Sequence, residues 1–127
     1  MKGIKITVRG YRMKRFEQWK AKTETEKVLL ERCRDAIFKV EPSAELILYG
    51  SRARGDSHEY SDYDLIILID EEFSLEKENY ICHQLCPIEL EMGEVNTAFV
   101  YSRSKWNSSL YREMPFHKNV EKDGVIL

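Results

Sequence analysis

The sequence is poor in cysteine and proline, and it contains no long hydrophobic run. Its 127 residues include three Cys, three Pro and six Gly. Three thiols are too few, and odd in number, for a disulfide framework, and the N-terminus shows no signal-peptide pattern, so we expect a reducing, cytoplasmic location. The longest apolar run, residues 65–69, is far shorter than the 18 or more residues of a membrane span, which predicts that the chain does not cross a membrane.

The chain also has little net charge. Its 20 Lys and Arg are set against 22 Asp and Glu, which leaves a formal charge of −2. No global basic field is available to hold nucleic acid, so we expect no strong nucleic-acid binding, and any phosphate must be bound by a local site. Hydrophobic residues at 43% and charged residues at 33% are typical of a globular protein.

We divide the chain into an N-terminal extension, residues 1–22, and a single domain, residues 23–127. The extension is basic and contains Tyr11, Phe16 and Trp19. Its pattern is compatible with a nucleic-acid arm or with a solvated strand and helix edge, and the second interpretation is favoured because the rest of the chain is not basic.

Hydrophobic periodicity in the domain predicts helices that alternate with strands. Apolar residues at three- and four-residue steps predict a helix from residue 23 or 25 to residue 40, with Thr23 and Glu26 as a capping box. Short apolar runs predict strands over residues 45–49, 63–70 and 94–101, and helices over 74–91, from 102 and from 115. Pro87 must kink or end the 74–91 helix. We therefore expect an α/β (α+β) domain with a small mixed β-sheet flanked by helices.

Two aspartates open the second of these strands. Asp62 and Asp64 are two residues apart, so on a strand their carboxylates would point to the same face. Two neighbouring carboxylates are the ligands that Mg²⁺ prefers, with water and substrate phosphates completing its coordination. The alternative is that both are solvated in a turn.

A Gly-Ser turn follows the first strand directly. Gly50 lets the backbone approach a ligand, and Ser51 is predicted to cap a short helical turn that carries Arg52 and Arg54, with Gly55 closing it. Exposed N–H groups and local positive charge are typical of a phosphate-binding turn. The alternative is an ordinary strand-to-helix turn with exposed arginines.

The relative direction of the strands predicted over residues 45–49 and 63–70 decides whether the Gly-Ser turn and the aspartates form one site. Parallel strands would place the Gly-Ser turn and the aspartates at opposite ends of the strands, about 15 Å or more apart at roughly 3.3 Å per residue. Antiparallel strands would bring them together, and we predict the antiparallel arrangement.

The string GSRARGDSHEYSDYDL, residues 50–65, closely resembles the signature of the DNA polymerase β-like nucleotidyltransferase superfamily, in the form of its minimal (MNT-type) domains. The resemblance implies a polymerase β palm-like fold and metal-dependent transfer of a nucleotide from an NTP. It implies that Gly50 and Ser51, with Arg52 and Arg54 nearby, bind the triphosphate. It also implies that Asp62 and Asp64 are catalytic and bind Mg²⁺ or Mn²⁺.

The chain departs from this family in one respect. Active members usually carry a third carboxylate on the next core strand, and here Asn96 is predicted to occupy that position. Glu94, two residues earlier, is our predicted catalytic substitute, and Glu89 or Glu91 is the alternative. If none of them replaces the third carboxylate, transfer is slow or absent.

The resemblance therefore leads to two hypotheses. The first is a cytoplasmic enzyme that moves an NMP, most simply AMP from ATP, to a protein or small acceptor. It would be the antitoxin-like half of a two-protein module with a HEPN-type helical partner. That partner would contact the exposed aromatics Tyr11, Trp19, Trp106 and Tyr111, although core packing is the simpler explanation for Trp106. The second is a weak or inactive nucleotide-binding or protein-interaction module of the same fold. Cys82, His83 and Cys86 could be read as metal ligands, but their spacing favours thiols in the core or on a helix face.

Overall fold

A computed structural model describes residues 13–20, 23–58, 61–94 and 96–127, which form a five-stranded sheet with helices on both faces. The strands are β1 (Lys14–Arg15), β2 (Glu45–Tyr49), β3 (Tyr63–Ile69), β4 (Asn96–Ser102) and β5 (Val125–Ile126). The α-helices are α1 (Glu24–Val40), α2 (Gly50–Arg54), α3 (Leu75–His83), α4 (Cys86–Met92), α5 (Arg103–Trp106), α6 (Ser109–Arg112) and α7 (Pro115–Asp123). A 3-10 turn, Phe16–Gln18, follows β1. The expected mixed sheet flanked by helices is confirmed.

The order of strands in the sheet is β1-β5-β2-β3-β4. β2 is antiparallel to β3, with Tyr49 opposite Asp64, and also to β5. β3 and β4 run parallel, with Tyr63 opposite Asn96 and Asp64 opposite Thr97, and β1 is parallel to β5. The predicted antiparallel pairing of the first two long strands is therefore confirmed.

Each face of the sheet has its own hydrophobic core. Along β3, Leu65 and Ile67 pack against α1, α3 and α4, whereas Ile66 and Leu68 pack against Trp106 and α7. This alternation follows from the two-residue period of a strand, and burial of both faces explains why β3 reads as a continuous apolar run. The inner strands thus sit in a three-layer sandwich, with Asp62 and Asp64 at the point where β3 begins.

The helix ends follow the capping residues in the sequence. The Thr23 side chain accepts a hydrogen bond from the backbone N–H of Glu26 at 3.1 Å, and Ser74 caps α3 in the same way through Lys77. Pro87 divides the predicted 74–91 helix as expected, because α3 ends at His83 and α4 begins at Cys86 with the proline in its first turn.

Residues 13–20 of the predicted extension belong to the fold. Met13, Phe16 and Trp19 are buried, and β1 adds the outermost parallel strand beside β5. The Trp19 indole donates a hydrogen bond to the carbonyl of Ala53 at 3.2 Å. The basic residues before position 13 and the aromatic Tyr11 lie outside the described residues.

Two of the aromatics that we expected to be exposed are buried. Trp19 and Trp106 are only 8% and 4% exposed. Trp106 stacks on His117, with ring centroids 4.3 Å apart, and also packs against Tyr101. The expectation of exposure was wrong for Trp19, because the sequence pattern did not show that the residues before α1 pack onto the domain. The burial of Trp106 agrees with the core packing that was its simpler explanation.

β4 is an edge strand, and side chains rather than another strand contact the backbone groups along its outer side. Glu78 accepts a hydrogen bond from the N–H of Val100 at 3.2 Å, and Glu89 accepts one from the N–H of Asn96 at 3.3 Å. The Cys82 thiol lies 3.7 Å from the carbonyl oxygen of Ala98. Carboxylates along an edge discourage pairing with a further strand.

A substitution in the central strand tests how much stability this packing supplies. Leu65 is completely buried, so Leu65→Ala should lower the free energy of unfolding by about 2–5 kcal/mol. Leu90→Ala is the matched control, because Leu90 is 86% exposed and should change it by less than about 0.5 kcal/mol. Urea denaturation followed by circular dichroism measures both, and equal losses would contradict the assigned core.

Within the described residues, no helix has the length and apolar character that crossing a membrane requires.

Candidate functional site: two aspartates beside a glycine-serine turn

The antiparallel pairing of β2 and β3 brings Gly50 against Asp64. A Cβ atom added to Gly50 would lie 2.5 Å from Asp64 Oδ2, closer than a real Cβ approaches a neighbouring atom. Gly50 also has φ +77, in the left-handed region that disfavours other residues. The backbone conformation therefore favours glycine, and a Cβ would displace the Asp64 carboxylate. The Gly-Ser turn and the aspartates thus form one site.

Asp62 and Asp64 share this site with a residue of β4. Asp62 is exposed and Asp64 is partly buried. Partial burial and the charge of Asp62 raise the pKa of Asp64, while Arg54 opposes that shift. The Thr97 hydroxyl donates a hydrogen bond to Asp62 Oδ2 at 3.5 Å. Repulsion by Asp62 contributes to this shift after burial, and a cation between the two carboxylates would relieve that repulsion.

The turn that follows β2 is a short helix whose first N–H groups have no partners within the helix. α2 begins at Gly50, so Ser51 lies in its first turn, and Tyr49 is the N-cap without a side-chain hydrogen bond. The prediction that Ser51 caps this helix was therefore wrong by two positions. Gly55 ends the helix with φ +83, as predicted. The first N–H groups of any helix lack partners within it, which suits an anion.

Arg54 is the exposed cation of this site. Its Nε lies 3.1 Å from Asp56 Oδ2, and its charge acts on Asp64. Exposed at 45%, the side chain can turn toward a phosphate. It borders a pocket of about 210 Å³ between α2 and α7, lined also by Tyr49, Gly50, Phe116, Asn119, Val120 and Asp123.

Arg52 is placed differently from the prediction. Its side chain is 9% exposed, and its guanidinium lies 3.1 Å from the carboxylate of Glu26. It also donates from Nη2 and Nε to the carbonyl of Ser61, at 2.9 and 3.2 Å. The guanidinium is thus held inside the fold by the Glu26 carboxylate and the Ser61 carbonyl, so direct nucleotide binding by Arg52 finds no support in the geometry. The sequence alone did not show that Arg52 is buried and Arg54 is exposed.

The register of β4 places Thr97, not Asn96, beside the aspartates. Asn96 lies on the α1 face, where its amide nitrogen is 3.8 Å from the sulfur of Cys33. Thr97 is opposite Asp64 in the sheet and lies on its face. Our expectation for Asn96 was wrong because strand periodicity fixes which residues share a face but not which face meets the neighbouring strand.

The acidic residues proposed as substitutes also lie elsewhere. Glu94 lines a pocket of about 380 Å³ with Glu26, Arg52 and Tyr63, on the α1 side. Glu89 accepts the N–H of Asn96, and Glu91 pairs with Arg32 at 2.7 Å. The structure therefore brings none of the three to Asp62 and Asp64, and the catalytic role predicted for Glu94 remains without a contact that supports it.

The donor set fits a cation that also binds substrate oxygens. Two carboxylates and a threonine hydroxyl are hard oxygen donors, and Mg²⁺ and Mn²⁺ take one or two protein carboxylates together with water and phosphate oxygens. Among the described residues, no group of three or more His, Cys, Asp or Glu could hold a metal. Cys82, His83 and Cys86 therefore do not form a metal site, and Cys33, which burial gives a pKa of about 12, is a thiol of the core.

Comparison with known proteins agrees with this site. Residues 26–126 match the model of the family described as nucleotidyltransferase domain. The chain is also 35% identical over 83 residues to a protein of Methanocaldococcus jannaschii named a "putative protein adenylyltransferase", covering 65% of this chain and 76% of that protein. The family match, over residues 26–126, includes both the glycine-serine turn and the paired aspartates. The chain therefore belongs to the polymerase β-like nucleotidyltransferase domain family and is a nucleotidyltransferase.

Proposed function

We propose that this nucleotidyltransferase moves AMP from ATP to a hydroxyl of a protein or small acceptor, with Mg²⁺ or Mn²⁺ as cofactor. The observation that carries the proposal is the contact between Gly50 and Asp64, because it joins a phosphate-binding turn to a pair of carboxylates. The choice of AMP and of a protein acceptor is supported by the name of the M. jannaschii relative.

Each residue of the site has a distinct part in the transfer. The acceptor hydroxyl gives its proton to solvent water and its oxygen forms a bond to the α-phosphorus of ATP. The bond from that phosphorus to the bridging oxygen breaks, and pyrophosphate leaves. The N–H groups at the start of α2 and the Ser51 hydroxyl bind the β- and γ-phosphates. Arg54 is near enough to turn toward the charge that develops on pyrophosphate. Asp62 and Asp64 would hold the cation.

The cation, when bound, polarises the phosphoryl oxygens and lowers the pKa of a hydroxyl that contacts it. The side chains of this chain position it. Thr97 donates to Asp62, which orients that carboxylate, and Gly50 leaves the space into which Asp64 projects. Binding of a cation here should reverse the raised pKa of Asp64, since a nearby positive charge favours the ionised carboxylate.

Titration calorimetry with ATP tests the binding step. We expect the full chain to bind ATP with Mg²⁺ or Mn²⁺, and to lose most of that affinity in EDTA, because the triphosphate and both aspartates are anionic and repel each other without a cation. Equal affinity with and without the cation would contradict metal dependence. It would mean that the Gly50–Ser51 turn binds the nucleotide without help from a metal.

For the acceptor, we propose a HEPN-type helical protein and, with it, an antitoxin-like role in the cytoplasm. The proposal is supported by the resemblance of the 50–65 segment to minimal nucleotidyltransferase domains, which often pair with such a protein. Incubation of the chain with α-labelled ATP and a HEPN-type protein from the same organism should label that protein. A protein label that stays at background while a small hydroxyl compound is labelled would direct the search to small acceptors.

The presence of Thr97 opposite Asp64 favours a second candidate, a domain that binds nucleotide and turns it over slowly or not at all. Thr97→Asp supplies a third carboxylate on the same face, and we expect it to raise transfer of label roughly a hundredfold, the lower end of the 10²–10⁴-fold range of a positioned general base. Thr97→Asn, which adds no charge, is the control. Rapid transfer by the wild type, with no gain in Thr97→Asp, would reject the weak-enzyme candidate.

A further inference from the structure

Arg52 links the Gly50–Ser51 turn to the segment that carries Asp62 and Asp64. In sequence it directly follows Ser51, the second residue of the phosphate-binding turn. Its guanidinium donates two hydrogen bonds to the carbonyl of Ser61, the residue before Asp62. One side chain therefore spans from the turn to the peptide that leads into the aspartates.

The same guanidinium also contacts the residue between the two aspartates. Its Cζ lies 4.3 Å from the centre of the Tyr63 ring, a cation–π distance. The Tyr63 hydroxyl donates to Glu26 Oε2 at 3.2 Å, and Arg52 binds that same oxygen at 3.1 Å. Arg52, Glu26 and Tyr63 thus form a closed, buried network anchored on α1.

Burial makes this network stiff. Glu26, Arg52 and Tyr63 are 4%, 8% and 2% exposed, so water does not compete effectively for their contacts. Removing one partner of a buried ion pair leaves an uncompensated charge, which is costly, and so the network has one strongly preferred arrangement. The arginine fork matters because it reaches the Ser61 carbonyl with two nitrogens while a third binds Glu26, whereas a lysine ammonium is a single point charge.

We propose that Arg52 is a positioning residue, which fixes Asp62 and Asp64 relative to the Gly50–Ser51 turn through the Ser61 carbonyl and the Tyr63 ring. The inference rests on the proposed function, in that the aspartates bind the cation of the nucleotide. Outer partners that orient metal ligands typically change metal affinity 10- to 100-fold when they are altered.

The test compares Arg52→Lys with the wild type by two measurements. Titration with MnCl₂ alone should show an affinity 10- to 100-fold lower in the variant. Hydrogen–deuterium exchange should be faster at the amides of residues 61–64 and unchanged in the central part of β3. Arg32→Lys is the matched control, because Arg32 also lies in an ion pair, with Glu91, but on the exposed surface of α1. All variants are compared at a temperature where circular dichroism shows them folded.

If Arg52→Lys does not fold, Tyr63→Phe replaces it, since this change keeps the ring under the guanidinium and removes only the bond to Glu26. It should give faster exchange at residues 61–64 and a smaller loss of Mn²⁺ affinity. Unchanged exchange and affinity within twofold in the folded variant overturn the proposal, as does an equal effect in Arg32→Lys. If the wild type binds no Mn²⁺, the proposed function fails, and faster exchange in Arg52→Lys then still supports the positioning role.

Discussion

Asp64→Asn is expected to lower the metal-dependent affinity for ATP by at least about a hundredfold and to abolish transfer, because one of two anionic ligands then becomes a neutral amide. A cation that these carboxylates hold against the phosphoryl oxygens would supply several kcal/mol of charge stabilisation, and each 1.4 kcal/mol corresponds to a factor of ten. Asp62→Asn should have the same direction of effect. Calorimetry with ATP and Mg²⁺ measures both, and Asp35→Asn, on the exposed surface of α1, is the control. Unchanged affinity in both site variants contradicts the metal-site assignment.

The same substitution should stabilise the protein when no metal or nucleotide is added. Partial burial and Asp62 raise the pKa of Asp64 in the folded state, so the ionised carboxylate destabilises the fold at neutral pH. This cost appears as the pH rises through the interval between the ordinary aspartate pKa and the raised one, and it is absent below that interval. Asp64→Asn removes the cost, so its thermal midpoint should exceed that of the wild type at pH 7 and not at low pH. A lower midpoint at pH 7 would mean that Asp64 is stabilised by a partner in the fold.

Gly50→Ala is the second substitution with a large expected effect. At φ +77 an alanine costs about 1–2 kcal/mol, and its Cβ would also meet Asp64 Oδ2 at 2.5 Å, which forces that carboxylate to move. We therefore expect a loss of stability larger than the backbone cost alone and a loss of metal-dependent ATP binding of tenfold or more.

Gly93→Ala separates the two causes. Gly93 has φ +70 at the end of α4, and a Cβ there would meet nothing within 4 Å. The free energy of unfolding of Gly93→Ala should fall by the backbone cost of about 1–2 kcal/mol, and its affinity for ATP should stay unchanged. Denaturation and calorimetry on the two variants measure both effects, and identical behaviour would show that the approach of Gly50 to Asp64 does not matter for binding.

The secondary structure and the identity of the turn and the aspartates could be predicted from the sequence because their causes are local. Thr23 and Ser74 mark helix starts through bonds to the N–H three residues on, and Pro87 breaks a helix by its own geometry. The apolar residues of β3 alternate between two cores, so a continuous run sufficed to predict a strand buried on both faces.

Errors arose where a residue's role depends on a neighbour that is distant in sequence. Arg52 and Arg54 are two residues apart in one short helix, and only the fold brings Glu26 of α1 to the first and leaves the second exposed. Likewise, the faces of β4 were predictable as two alternating sets, but its register against β3 was needed to place Thr97 beside Asp62 and Asn96 beside Cys33.

By itself, the sequence determined which residues could bind a phosphate and a cation, since side-chain chemistry and local spacing are properties of the chain. Only the tertiary structure decided that these residues meet, because the contact between Gly50 and Asp64 depends on the direction and register of two strands separated by thirteen residues. Strand pairing is a non-local choice, made by burying both faces of the sheet together, and local patterns do not encode it.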